Sequence, residues 1–106
     1  HKQFDLATKQ HSCPDGNPVY GSMISFELDQ SIDLDSFAKK LSIITLAESL
    51  GGVKSLISCP YSMTHASVPH DEKAELGITP NLLRFSVGIE HTDDLISELE
   101  FAMNHN

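Results

Sequence analysis

The sequence has no tryptophan, one arginine and two cysteines in 106 residues, and each scarcity narrows what the chain can be. Cys13 and Cys59 stand far apart and form no C-x-x-C unit, which excludes a disulfide framework and a zinc ribbon and favours a reduced, cytosolic setting. No apolar run reaches the roughly 18–20 residues that a membrane span needs. Basic residues are few: seven Lys and Arg face fifteen Asp and Glu, a formal charge of −8. That balance argues against nucleic acid and against anionic membrane surfaces, both of which attract cations. No P-loop, G-x-S-x-G or dinucleotide fingerprint occurs. The opening His1-Lys2-Gln3-Phe4 has neither an initiator Met nor the apolar segment of a signal peptide, and it is read as the start of a piece of something longer.

What remains is ordinary globular material, 40% hydrophobic and 21% charged, of a length that suits one domain spanning 1–106. Residues 1–11 read as a short amphipathic helix anchored by Phe4, Leu6 and Ala7, and 12–22, rich in Pro and Gly, as a loop. Ile24, Phe26 and Leu28 alternate with polar or exposed-type neighbours, the period of a strand. Asp33 caps a helix whose apolar positions are Leu34, Phe37, Ala38 and Leu41. Residues 43–48 and 54–58 read as strands, 60–69 as irregular, and 70–76 as a helix closed by Gly77. Leu83, Phe85 and Val87 mark a fourth strand. The last helix opens at Thr92, with Asp93 and Asp94 at the positive end of its dipole and a stripe of Leu95, Ile96, Leu99, Ala102 and Met103. The expected class is α+β: about four strands, with helices on one face.

Two features carry chemistry. Arg84, the sole arginine, sits mid-strand opposite Leu83, Phe85 and Val87 in a stretch with few other polar groups. A guanidinium is always charged and its rigid fork fits a carboxylate through two parallel hydrogen bonds. "AESLGG", residues 47–52, sets Glu48, Ser49 and Leu50 before two glycines, either as a plain turn or as backbone that approaches a ligand. The histidines are scattered, and Cys59, beside Pro60, reads as a small buried apolar residue.

The stretches "TLAESLGGVKSLISCPYSMTHASVP", "LGI" and "LLRFSVGIEHTDDLISELEFAM" resemble the C-terminal domain of the pyridoxal-phosphate enzymes of cysteine and methionine metabolism. That group includes cystathionine gamma-synthase, the cystathionine gamma- and beta-lyases and methionine gamma-lyase. The likeness runs from about Ile44 to Met103, and more loosely through Ala7–Gln10 and 21–28; the 12–22 loop departs from it. It implies the small domain of a fold-type I enzyme, with pyridoxal 5'-phosphate held mainly by a lysine in an N-terminal domain that this chain lacks; none of its six lysines falls in the corresponding motif. By position, Arg84 matches the arginine that binds the substrate α-carboxylate. Ser49 matches the serine beside that carboxylate, with Leu50 adjoining, and Glu48 matches a position facing the distal end of the substrate. The implied substrate is cystathionine or a homoserine ester, the implied assembly a cytoplasmic homotetramer, and no catalytic, cofactor or metal ligand is expected in this chain. Two other readings stand beside it: a small-molecule or protein-interaction domain that keeps the fold without the chemistry, and a metal site built on His65 and His70.

Overall fold

A computed structural model describes residues 1–63 and 66–104. Its centre is a four-stranded sheet in the order β1-β4-β3-β2. The strands are β1 (Met23–Glu27), β2 (Thr45–Leu46), β3 (Leu56–Ser58) and β4 (Leu82–Ser86), and the helices are α1 (Phe4–Gln10), α2 (Leu34–Lys39), α3 (His70–Glu75) and α4 (Thr92–Asn104). β4 is antiparallel to both its neighbours, with Arg84 opposite Ser25 on β1 and Ser58 on β3, while β2 runs parallel to β3. Side chains alternate across a strand, so Leu83 and Phe85 face one side and Arg84 and Ser86 the other.

The core lies on the Leu83–Phe85 side. Leu28, Phe37, Ile44, Ile57, Cys59, Leu83, Phe85, Leu95 and Ala102 form one buried cluster, to which α2 and α4 bring Phe37, Leu95 and Ala102. α2 starts where the sequence says it should, because the Asp33 carboxylate accepts from Ser36 N at 2.8 Å. The left-handed backbone at Gly77, φ +76°, follows α3 directly.

Two elements differ from the sequence expectation. α1 buries none of its residues, and Phe4 and Leu6 are half exposed. Phe4 and Ala7 share a helix face but Leu6 does not, so no apolar stripe forms. α1 is tied instead to the 12–22 loop, through Thr8 Oγ1 and Tyr20 OH at 3.0 Å and the Phe4–Tyr20 ring pair. β2 covers two residues of the expected 43–48, because the amides just before it are engaged elsewhere.

Their partner is Glu98. It lies on the buried face of α4 between Leu95 and Ala102, where a carboxylate needs donors. Its Oε1 accepts from Ser42 N at 2.5 Å, Ser42 Oγ at 2.6 Å and Ile43 N at 2.7 Å, and its Oε2 from Ile44 N at 2.7 Å. Burial alone would raise the carboxyl pKa. The Ser42 hydroxyl and the three amides outweigh it and hold the value below the ordinary range.

Two outcomes follow. Glu98→Ala strands the buried Ile44 amide and two part-buried ones and lowers unfolding free energy by about 2–4 kcal/mol, measured by denaturant titration. Because the folded-state pKa is depressed, the stabilisation is complete above the unfolded carboxyl value of about 4.3 and is lost as pH falls through the folded value. Melting temperature followed from about pH 7 to about pH 3 therefore drops less steeply in Glu98→Gln than in the parent chain.

Candidate functional site

The face of the sheet away from the core carries the candidate site. Arg84, projecting from the middle of β4, donates from Nη2 to the carbonyl oxygen of Glu48 at 2.8 Å. Two residues along the same face, the buried Ser86 hydroxyl accepts from Gly51 N at 2.8 Å. The loop that leaves β2 is thus pinned to β4 at two points. Gly51, at φ +78°, takes a backbone conformation that side chains disfavour, so the chain can turn between them.

A second set of bonds closes the far side of the loop. Ser55 donates from N to Glu90 Oε2 at 2.8 Å and from Oγ to Glu90 Oε1 at 2.7 Å, and its Oγ accepts from Gly88 N at 2.8 Å. Ile89 N donates to Val53 O at 2.8 Å. The two segments are so close here that a Cβ on Gly88 would lie 2.2 Å from Val53 O and 2.6 Å from Ser55 N. The Ser55 amide, then its hydroxyl, hold the Glu90 carboxyl below its usual pKa, with a smaller contribution from the charge of Lys54.

Of the residues singled out from sequence, Arg84 and the 48–50 segment do come together. The contact uses the Glu48 main chain; its carboxylate is exposed, as are Ser49 and Leu50. Sequence reasoning missed Ser86, Ser55, Gly88 and Glu90. The one available signal was the alternation of Arg84, Ser86 and Gly88 along a single face. Among the described residues no carboxylate stands within ion-pair distance of Arg84. Its guanidinium carries further N–H donors beside this exposed loop.

The other candidates lie apart from this site. Both cysteines are free, and Cys59 is buried with Sγ against Pro80 O. His70 Nδ1 meets Tyr61 OH, while His65 lies outside the described residues. Among the described residues no group of three or more His, Cys, Asp or Glu could hold a metal, and no helix is long and apolar enough to cross a membrane. Two of the lysines are engaged elsewhere: Lys40 Nζ donates to Ser36 and Lys73 Nζ to Tyr61 O.

The model of the Cys/Met metabolism PLP-dependent enzyme family matches residues 1–104. A cystathionine beta-lyase of Lactococcus lactis subsp. cremoris is 45% identical over 103 residues, covering 97% of this chain and 26% of the relative. A cystathionine gamma-lyase of Dictyostelium discoideum is 50% identical over 105 residues, covering 98% of this chain and 26% of the relative. Among solved structures, the cystathionine gamma-synthase of Xanthomonas oryzae pv. oryzae in complex with cystathionine aligns with a TM-score of 0.82 at 41% identity, over 97% of this chain and 25% of that one. The chain spans about a quarter of the length of the curated relatives it matches.

The close approach at Gly88 is directly testable. Gly88→Ala must push Val53 and Ser55 away and lowers unfolding free energy by about 3 kcal/mol. Ser86→Ala removes one acceptor from an amide that water can reach, and costs about 1 kcal/mol. Chemical denaturation of the two variants side by side checks the order.

Proposed function

The chain belongs to the Cys/Met metabolism PLP-dependent enzyme family, and we propose that it is the substrate-carboxylate lobe of a transsulfuration enzyme, a cystathionine gamma-synthase or gamma-lyase. The observation that carries this reading is the sole guanidinium of the chain, turned toward the 48–52 loop and without an acid partner among the described residues. Two parallel N–H···O bonds from Arg84 fix both the position and the plane of a substrate α-carboxylate. In this reading Ser49 and Leu50, next along the exposed loop, adjoin the carboxylate, and the exposed Glu48 side chain pairs with a distal ammonium such as that of cystathionine.

The residues present fit the substrate end of such a site and not the attachment of the cofactor. The site offers a guanidinium and main-chain groups, while Lys40 and Lys73 are engaged elsewhere. Pyridoxal phosphate, when bound, supplies the electron sink for carbanion chemistry at the amino acid. In this reading a further lobe of a longer protein holds it, and this lobe contributes orientation, so that the bond to be broken stands properly against the reactive ring. The substrates are cystathionine or a homoserine ester, the assembly a cytoplasmic homotetramer, and neither nucleic acid nor membrane is a partner.

In the full-length protein, Arg84→Ala removes a charge-assisted contact of about 1.5–3 kcal/mol, which is roughly a 10- to 150-fold fall in kcat/KM. Arg84→Lys recovers only part of this, because a point charge cannot reproduce the fork. Steady-state assays with cystathionine and with homoserine esters in parallel check both values and separate lyase from synthase. Unchanged kinetics in Arg84→Ala would leave a domain that keeps the fold without this role.

A further inference from the structure

Three serines are almost completely buried: Ser55, Ser58 and Ser86. Ser55 Oγ bonds Glu90 and Gly88, and Ser86 Oγ bonds Gly51. Among the described residues Ser58 Oγ has no partner, although the residue is 1% exposed. A buried hydroxyl without a hydrogen bond costs free energy and calls for a physical reason.

Its position supplies one. Ser58 is the register partner of Arg84 across the β3–β4 ladder, so both side chains rise from the same face. The loop leaving β2 must pass over β3 to place Gly51 on Ser86 of β4, and Arg84 meets that loop at Glu48. Ser58 therefore lies beneath the roof made by the loop and the arginine side chain. The idle hydroxyl is next to the guanidinium, whose five N–H donors include several that the Glu48 bond does not use.

Resting on the reading of Arg84 as the carboxylate anchor, we propose that Ser58 is a positioning residue for Arg84. Its Oγ is the acceptor that the guanidinium takes up when a substrate carboxylate draws the tip away from the Glu48 carbonyl. In the free protein the tip is held by Glu48 O and the serine is idle. In the bound protein two N–H groups of the fork face the ligand, and one of the others turns down onto Ser58. The hydroxyl thus favours the bound arrangement, and a serine that is a local defect of the free fold becomes a contributor to affinity.

The test uses the full-length enzyme, with Ser58→Ala, Ser58→Thr and Arg84→Ala assayed on cystathionine and on homoserine esters. Ser58→Ala is expected to raise KM roughly three- to tenfold with kcat little changed, and Ser58→Thr, which keeps a hydroxyl, to restore it. The melting temperature of ligand-free Ser58→Ala is expected to hold or rise, since an unsatisfied buried hydroxyl has been removed. An unchanged KM, a rise in KM that threonine does not reverse, or a lowered melting temperature of ligand-free Ser58→Ala overturns the proposal. If Arg84→Ala raises KM and Ser58→Ala does not, the role of Ser58 fails and that of Arg84 stands. If neither does, the carboxylate reading fails with it.

Discussion

Everything specific about this site depends on one strand gripping one loop through two polar side chains. Residues 48–54 are exposed, with Val53 70% exposed, so no apolar burial fixes their path. Their geometry comes from the Arg84 bond to the Glu48 carbonyl and the Ser86 bond to the Gly51 amide. Both donors and acceptors belong to short, directional interactions, which locate a backbone to within tenths of an ångström where a greasy contact would not. The Ser55–Glu90 pair and the close approach at Gly88 then stop the loop from sliding along the strand.

That grip would be misplaced if β4 or β2 moved, and separate devices hold each. β4 is the one strand with antiparallel neighbours on both sides, and its Leu83 and Phe85 are in the core. β2 is two residues long and too short to fix its own register. Glu98 does so from the helix layer, by collecting the amides of Ser42, Ile43 and Ile44 just before the strand starts. A buried acid on α4 therefore sets where the chain enters β2, hence where Glu48 ends up and which carbonyl Arg84 meets. The arrangement couples the helix layer to the opposite face of the sheet.

Much of this could be read from the chain. The alternation of Leu83, Phe85 and Val87 puts Arg84 on the non-core face, and each expected strand and helix has a counterpart in the fold, β2 far shorter than expected and α1 without a buried stripe. What could not be read were partners far away in sequence. Glu98 looks like a polar gap in an apolar stripe until residues 42–44 are brought to it. Gly88 looks like any loop glycine until Val53 and Ser55 press against it. α1 looked amphipathic because three apolar residues cluster in a short window, yet they do not share a face. For Glu48 the sequence pointed to the side chain, whereas the fold uses the carbonyl, a group every residue has and no composition can flag.

The choice of a neutral carbonyl as the resting partner of Arg84 has an energetic logic. Fifteen acids surround a single arginine in this chain, yet among the described residues none pairs with it. Glu27, on the same sheet face, is bonded to Thr79, and Glu90 is taken by Ser55. A carboxylate already on the guanidinium would have to be displaced before another could bind, with loss of a charge-assisted bond. A carbonyl holds the side chain in place through a weaker neutral acceptor, so an incoming carboxylate gains the difference. Glu27 and Glu90 are thus satisfied by hydroxyls and an amide, and the guanidinium is held by a neutral oxygen in their place.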